Sequence, residues 1–409
     1  MITGELSTES FQLQPTIPFR EPREWPRSDS PRNSKRFGGF VIHERLGAGG
    51  MAQVHRAELQ GPHGFRKTVA LKRLLPHAAV DEDLVKLFLD EARLASRLRH
   101  PNIAGVYDFG QVSGQHYMTM ELVRGPTLKE LIVHCQDTVG LIPFPVVVHL
   151  LCEICDALAY AHDQVDEYGV PLGIIHRDVS PSNVIVSKDG FAKLIDFGVA
   201  KTVGTHTSTG IIKGKLAYVA PEYLDGKLDR RADLWGLGVL AWELLTNRRL
   251  FDGDDVMCVQ RVHDMPIDPP SHHNPDVPRD LDVIVMTALE RDPAMRWQNA
   301  AAMRTALNDL PCASRADVVE WIDWAFAQTQ RAAAPVEKIT VPERGRGLRA
   351  RTVGRLQSLT EILLLKRKGP AVGAAMLARR TRDRHRGRVF AIAVIALIAG
   401  AVAAMFVPG

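Results

Sequence analysis

Two carboxylates and an amide flank a short turn in the middle of the chain. His176-Arg177-Asp178-Val179-Ser180-Pro181-Ser182-Asn183 is followed by Lys188-Asp189-Gly190 and then by Leu194-Ile195-Asp196-Phe197-Gly198. Carboxylates on loops at the ends of short strands suit a general base and a hard divalent cation, because Mg²⁺ takes oxygen ligands and shares its shell with phosphates. A second group lies upstream. Leu46-Gly47-Ala48-Gly49-Gly50-Met51-Ala52-Gln53-Val54 puts glycines in a turn that can lie close over phosphates, its N–H groups toward the anion. A dinucleotide fold would pass straight into a helix, with an acid about 20 residues on. Here Val54–Leu59 reads as another strand, and a third carries Val69-Ala70-Leu71-Lys72. A lysine at the end of a buried strand needs a partner, since an unpaired buried ammonium is costly. Glu91, on the helix that follows, is the natural one.

The elements that must position these groups can be read from apolar spacing. Phe40–Leu46, Ala52–Leu59, Thr68–Leu74 and Gly105–Phe109 are short runs separated by turn signals, as strands are. Between them Asp83–Leu98 carries Leu84, Phe88, Ala92 and Ala95 at helical spacing. Beyond about Val123 the helical period takes over, in Pro145–Gln164, Arg231–Leu245, Pro278–Leu289 and Ala300–Leu310. The expectation is an α+β chain: a small β-rich lobe followed by a larger helical one. Residues 316–330 add an amphipathic helix with Val318, Trp321, Ile322 and Trp324 to bury, packed on the preceding domain. Residues 1–36, rich in Pro, Ser and Arg, read as a disordered leader without a signal peptide.

Composition narrows the function classes. The formal net charge of +4 averages two unlike parts. Residues 341–388 hold 14 Lys/Arg against Glu343, Glu361 and Asp383, a balance of +11, and the rest of the chain is left at −7. The basic run has no Phe, Trp or Tyr on which a base could stack, so no nucleic acid is expected. Five cysteines in 409 residues make no disulfide framework and fit a reducing compartment. Cys152-x-x-Cys155 lies inside an apolar run with no second pair at metal spacing, and reads as core packing. His272-His273, in a Pro-rich loop, reads as solvated.

Further motifs follow in order: Ala220-Pro221-Glu222, Asp233-Leu234-Trp235-Gly236-Leu237-Gly238, and Arg296 in Arg291-Asp292-Pro293-Ala294-Met295-Arg296-Trp297. With these, the sequence over about residues 37–310 resembles the eukaryotic-like Ser/Thr protein kinase family, in its bacterial membrane-anchored form. The resemblance implies a bilobal protein kinase fold over 37–312, a flanking helix over 313–330, and ATP-dependent transfer of a phosphoryl group to protein Ser/Thr hydroxyls. Leu46, Gly47, Ala48, Gly49 and Gly50 would cover the ATP phosphates. Lys72 would hold the α/β-phosphates with Glu91 fixing it, and Asp178 would accept or orient the proton of the attacking hydroxyl. Asn183 and Asp196 would ligate Mg²⁺, or Mn²⁺ in its place, with Ser182 beside them in the nucleotide site. Val54, Ala70, Met120, Val123 and Ile185 would sandwich adenine, and backbone groups of Glu121 and Val123 would read its edge. Glu222–Arg296 would be a structural ion pair, and Asp233 a cap on backbone groups.

The sequence departs from the family pattern in three places. Ala52 replaces the third glycine of the phosphate loop, which costs little if its φ is negative. The family's usual Ser/Thr members carry a lysine where Ser180 stands, and a threonine where Lys215 follows Gly214. One reading is compensation, with Lys215 returning the cation to the γ-phosphate. Others are a solvent-facing Lys215 with Ser180 simply tolerated, or a weakly active or silent pseudokinase scaffold. Arg177 and the Thr205-His206-Thr207-Ser208-Thr209 stretch suggest control by autophosphorylation at Thr207 or Thr209.

Val389–Val407 is a run of uncharged residues that would span about 28 Å as a helix, close to the hydrocarbon thickness of a bilayer. Six arginines, from Arg379 to Arg388, lie before it, so a single-pass transmembrane helix with the kinase part cytoplasmic is expected at a bacterial inner membrane. Residues 331–388 form a basic juxtamembrane linker, and its run 341–388 would then touch anionic lipid. Only Pro408 and Gly409 follow, so a signal is expected from the cytoplasm, the bilayer or partner proteins. Protein substrates and dimerisation complete the expected partners.

Overall fold

A computed structural model of the chain describes residues 35–197, 216–224, 226 and 228–332. The leader up to residue 34, Gly198, the threonines of 205–209, Gly214, Lys215, the linker from residue 333 on and Val389–Val407 lie outside the described residues.

The first lobe is a six-stranded antiparallel sheet. Its strands are β1 (Lys35–Phe37), β2 (Phe40–Ala48), β3 (Ala52–Gln60), β4 (Arg66–Leu74), β5 (Val106–Val112) and β6 (Gln115–Met120), in the order β1-β2-β3-β4-β6-β5. β1 takes up Lys35 and Arg36, which composition alone assigned to the leader. Alternation along β4 sends Val69 and Leu71 to an outer cluster with Phe37, Phe40, Ile42 and Ala57, and Ala70 and Leu74 to an inner one. Helix α1 (Glu82–Ala95) lies on the inner face, burying Phe88 and Ala92 against Met118 and Met120. Its start is set by Asp81, whose side chain accepts from the Asp83 and Leu84 N–H groups.

The second lobe is helical: α2 (Leu128–Asp137), α3 (Phe144–His162), α4 (Pro221–Leu224), α5 (Arg231–Thr246), α6 (Asp255–Asp264), α7 (Arg279–Ala288), α8 (Ala300–Leu307) and α9 (Arg315–Ala332). Between α3 and α4 the two-stranded hairpin β7 (Val184–Val186) and β8 (Ala192–Leu194) lies against α3. α3 and α5 are apolar nearly all round because they run through the middle of the lobe, where other elements cover each face. α3 is also long and apolar enough to cross a membrane, but it is mostly buried as the core helix of this lobe. α9 buries Val318, Trp321 and Ile322 and keeps Trp324 partly covered, as the amphipathic spacing of 316–330 requires.

Three helices, α2, α4 and α6, lie outside the helical runs read from the sequence. α2 buries Leu128, Leu131, Ile132 and Cys135 at helical spacing and starts at a capping box: the Thr127 side chain accepts from the Glu130 N–H while the Glu130 carboxylate accepts from the Thr127 N–H. α6 begins at Asp254, whose carboxylate accepts from the Met257 N–H.

Candidate active site

Lys72 reaches the cleft because β4 is paired on both sides. Val54 on β3 and Met118 on β6 lie opposite Lys72, and Met120 lies opposite Ala70. Side chains two apart share a face, so Ala70 and Lys72 both project onto the inner surface. Lys72 is only 7% exposed and Glu91 3%. The Lys72 ammonium donates to Glu91 Oε1 at 2.6 Å and to Asp196 Oδ1 at 3.0 Å. Burial alone would lower the Lys72 pKa, but the Asp196 and Glu91 carboxylates outweigh it and hold the group well above its ordinary value. α1 and the loop after β8 are therefore joined through one cation.

The residues around Asp178 are set from below. His176 and Arg177 donate their backbone N–H groups to Asp233 at 2.8 and 2.7 Å, and the His162 ring lies 2.8 Å from the same carboxylate. Burial would raise the Asp233 pKa; the His162 hydrogen bond and charge, with the His176 contacts, pull it below the usual carboxylate range. Arg177 and Asp196 both adopt left-handed backbone, with φ of 63° and 56°. Such residues each cost about 1–3 kcal/mol and persist only where the surroundings hold them. The surroundings here are Asp233 for Arg177, and for Asp196 the Lys72 contact together with the packing of Phe197 on the His176 ring, centroids 4.6 Å apart. Gly236 lets α5 pass close beneath, since a Cβ there would meet the Val179 carbonyl at 3.0 Å.

Asn183 joins the two loops. Its side-chain amide donates to the Asp178 carbonyl at 2.9 Å, and its own carbonyl accepts the Ile195 N–H at 2.9 Å. With the amide nitrogen engaged, the Asn183 side-chain oxygen remains as a hard donor near Asp196, a set that fits Mg²⁺ or Mn²⁺. Ser180, two residues after Asp178, is 2% exposed, and its hydroxyl has no hydrogen-bond partner among the described residues.

The segment after β6 forms the cleft wall. Glu121 uses its N–H on the Gly105 carbonyl at 2.8 Å, so of its two backbone groups only the carbonyl is left to read a base edge. Neither backbone group of Val123 enters a backbone hydrogen bond among the described residues. Val186 and Lys188 donate to Pro126 and Arg124, which ties this segment to β7 and sets Thr127 opposite Ile185. Gly125 is required at this crossing: its φ is 154°, and a Cβ would sit 1.8 Å from the Val186 carbonyl. The Glu121 side chain pairs with Lys193 at 2.9 Å, a contact that no motif announced.

The glycine turn closes through Gly49 N–H on the Ala52 carbonyl at 2.8 Å, with Gly47 opposite Val54 and Ala48 opposite Gln53. Ala52 is buried on β3 and has no positive φ, so its methyl is accommodated as expected. Farther down, Arg296 meets Glu222 through two parallel bonds of 2.7 and 3.0 Å, and gives its remaining N–H groups to the carbonyls of Arg231, Glu290 and Arg291. Of the catalytic and nucleotide-binding residues singled out from the sequence, all but Lys215 fall among those described; Lys72, Glu91 and Asp196 meet directly, and Asn183 bonds the Asp178 carbonyl. His162 could not have been found from its sequence neighbourhood.

Known proteins share this two-lobed fold. Residues 40–307 match the protein kinase domain. The chain is 38% identical over 275 residues to the tyrosine-protein kinase MasK of Myxococcus xanthus, and 37% identical over 279 residues to the serine/threonine-protein kinase PknB of Mycolicibacterium smegmatis. Each alignment covers 66% of this chain but only 43% and 42% of those relatives, so the chain spans less than half their length. The crystal structure of the Mycobacterium tuberculosis PknI kinase domain superposes with a TM-score of 0.52 at 28% identity, covering 68% of this chain and 98% of that one. On its matched domain and the bilobal fold around the Lys72–Glu91–Asp196 cluster, the chain belongs to the protein kinase family.

Proposed function

We propose that the chain is an ATP-dependent protein serine/threonine kinase. The observation that supports this most is the double contact of Lys72 with Glu91 and Asp196, the arrangement a phosphate-holding lysine needs before ATP arrives. In the reaction the hydroxyl oxygen of the substrate attacks the γ-phosphorus, the bond from that phosphorus to the β–γ bridging oxygen breaks, and the hydroxyl proton passes to Asp178. Gly47, Gly49 and Gly50 cover the phosphates, Lys72 holds the α/β-phosphates, and Val54, Ala70, Met120, Val123 and Ile185 enclose adenine. Asn183 and Asp196 would hold Mg²⁺, which neutralises charge on the transferring group when bound. Lys215 supplies the cation that Ser180 does not. Arg177 pairs with phosphate on Thr207 or Thr209, so autophosphorylation orders the activation loop.

The chain is tethered through Val389–Val407, with the +11 stretch before it on anionic headgroups. The hydroxyl specificity has a second reading, since one relative at 38% identity is named a tyrosine kinase and the lysine usual in Ser/Thr members is absent at Ser180.

Incubation of the full chain, in detergent, with γ-labelled ATP, Mg²⁺ and a general protein substrate tests both, with Asp178→Asn as control. Phosphoserine and phosphothreonine lost in the control are expected. Phosphotyrosine alone would move the specificity, and ATP binding without any transfer would make the chain a pseudokinase scaffold. A phosphopeptide map of active enzyme should show modification within residues 202–209.

A further inference from the structure

Asn183 stands just before β7 and Asp196 just beyond β8, so both hang from the open end of one two-stranded hairpin. Its ladder runs from the Ser187 N–H on the Phe191 carbonyl at 2.7 Å to the Ile195 N–H on the Asn183 carbonyl at 2.9 Å. So short a pair of strands is marginal by itself, and its seating comes from its neighbours. The outer edge of β8 shows which ones. The Ala192 carbonyl accepts the Asn102 side-chain amide at 3.0 Å, while Leu194 gives its N–H to the Asn102 carbonyl and accepts the Ala104 N–H. The last group of that edge, the N–H of the buried Ala192, goes to Glu153 Oε2 of α3 at 2.6 Å.

Glu153 is 5% exposed, and a carboxylate so buried needs cations. One is His149, whose Nε2 lies 3.5 Å from Glu153 and 3.3 Å from the Gly190 carbonyl, and whose Nδ1 lies 3.0 Å from the Ala313 carbonyl. All three are acceptors, so the ring carries both protons. The other is Arg315 of α9, whose Nε donates to Glu153 Oε1 at 2.9 Å. Burial would raise the Glu153 pKa; the hydrogen bonds from His149, the Ala192 N–H and Arg315 bring it below the usual carboxylate range.

Arg315 lies beyond the matched domain, which ends at residue 307. Its place is fixed locally. Ala313 donates its N–H to the Pro145 carbonyl at 2.9 Å. Ser314 caps α9, its hydroxyl accepting the Asp317 N–H at 3.2 Å and its N–H donating to the Asp317 carboxylate at 2.9 Å. The Arg315 guanidinium carbon sits 3.7 Å from the centre of the Phe191 ring in the hairpin turn. Gly190, at a φ of 82°, passes so near that a Cβ there would meet the Arg315 carbonyl at 2.6 Å. The start of α9 thus touches the hairpin turn through both its backbone and its guanidinium.

We infer that Arg315 is a positioning residue for the cation site: through Glu153 and Phe191 it seats β8, and β8 sets Asp196 against Asn183. The lever is short, since Ala192 lies about 13 Å along the strand from Asp196. The inference rests on Asn183 and Asp196 as cation ligands of a kinase, and it adds a residue outside the matched domain to what that site needs.

The test compares the full chain in detergent as wild type, Arg315→Met and Arg304→Met, a neighbouring arginine whose bonds go to Asp156 and Asn308 and not to the hairpin. Mn²⁺ is titrated by electron paramagnetic resonance with ADP saturating, so no phosphoryl transfer enters. Losing a group bonded directly to a metal ligand weakens metal binding by about 10–100-fold, and an indirect holder should give less, about three- to tenfold in Arg315→Met. ADP affinity without metal should stay at the wild-type value. Transfer lost in Arg315→Met should return as Mg²⁺ is raised, which a merely structural loss would not allow. Arg315→Lys keeps the charge but not the flat face over Phe191, and should fall between. Metal-free hydrogen exchange should show the Ala192 amide opening faster in Arg315→Met and unchanged in Arg304→Met. Mn²⁺ affinity unchanged in Arg315→Met, or equally weakened in Arg304→Met, would overturn the positioning role and leave the kinase reading standing. A wild-type chain that binds neither ADP nor Mn²⁺ would overturn both. Should Arg315→Met fail to fold, Arg315→Lys is judged against wild type in its place.

Discussion

The Asp233 carboxylate accepts the backbone N–H of Arg177 at 2.7 Å, and Arg177 stands at a φ of 63°. A buried carboxylate on α5 thereby holds the residue before Asp178 in a conformation that its side chain disfavours. Replacing Asp233 by Asn removes the charge and one acceptor, and should destabilise the protein by about 3 kcal/mol. The Asp233 pKa is held below its unfolded value of about 3.9, so its contribution is complete above that value and is lost as the pH falls through the folded one. The gap between wild type and Asp233→Asn in urea unfolding should therefore close as the pH is lowered from about 5 to about 2. A gap that widens would contradict the assignment.

Lys72 and Glu91 form a buried pair in which each group depends on the other. In Lys72→Met, turnover should fall by about 10²–10³ or more, in line with loss of a positioned cationic donor. Glu91 is then left buried without its cation, and its pKa should rise above the ordinary value of about 4.3. A carboxylate raised in this way is destabilising once the pH exceeds its unfolded pKa, so the variant should melt lower at pH 8 than at pH 5. Adding Glu91→Leu should restore most of the melting temperature and none of the turnover.

Arg296 spends every donor inside the second lobe, on Glu222 and on the carbonyls of Arg231, Glu290 and Arg291. Arg296→Met should cost about 3–5 kcal/mol, because Glu222 loses its bidentate partner in a partly buried setting. Denaturant titration measures the loss. At low temperature, activity per folded molecule should stay within a few-fold of wild type.

Ser180 buries a hydroxyl that bonds to nothing among the described residues. Its removal in Ser180→Ala should leave stability unchanged or raise it by up to about 1 kcal/mol, since no hydrogen bond is lost. Turnover should remain within about twofold. A tenfold loss would mean that the hydroxyl meets ATP or the protein substrate during the reaction.

Much of the fold was legible because it repeats at short range. Leu84, Phe88, Ala92 and Ala95 mark α1 by spacing, and the uninterrupted apolar stretch of α3 marks a helix buried on all sides. β6 was not legible: Gln115-His116-Tyr117-Met118-Thr119-Met120 mixes polar and apolar residues because one end of the strand is half-buried and the other is fully covered. α2 is short but carries a full stripe of Leu128, Leu131, Ile132 and Cys135 behind its Thr127–Glu130 cap, whereas α6 buries only Cys258 and Val262 and is marked chiefly by Asp254 at its start.

The cleft was legible to the extent that its chemistry is written in contiguous motifs. The order of the glycine turn, Lys72, Asp178, Asn183 and Asp196 carries the reaction class, because phosphate, base and cation each demand particular residue types. Local spacing and side-chain chemistry were enough for the strands with clear turn signals, for the long helices and for the residue types of the cleft. Which groups touch was left to packing. The folded chain alone brings His162 to Asp233 and ties α3 through Glu153 to the hairpin before Asp196. Burial makes each of these contacts strong, and burial arises only when distant segments pack, which one-dimensional spacing does not encode.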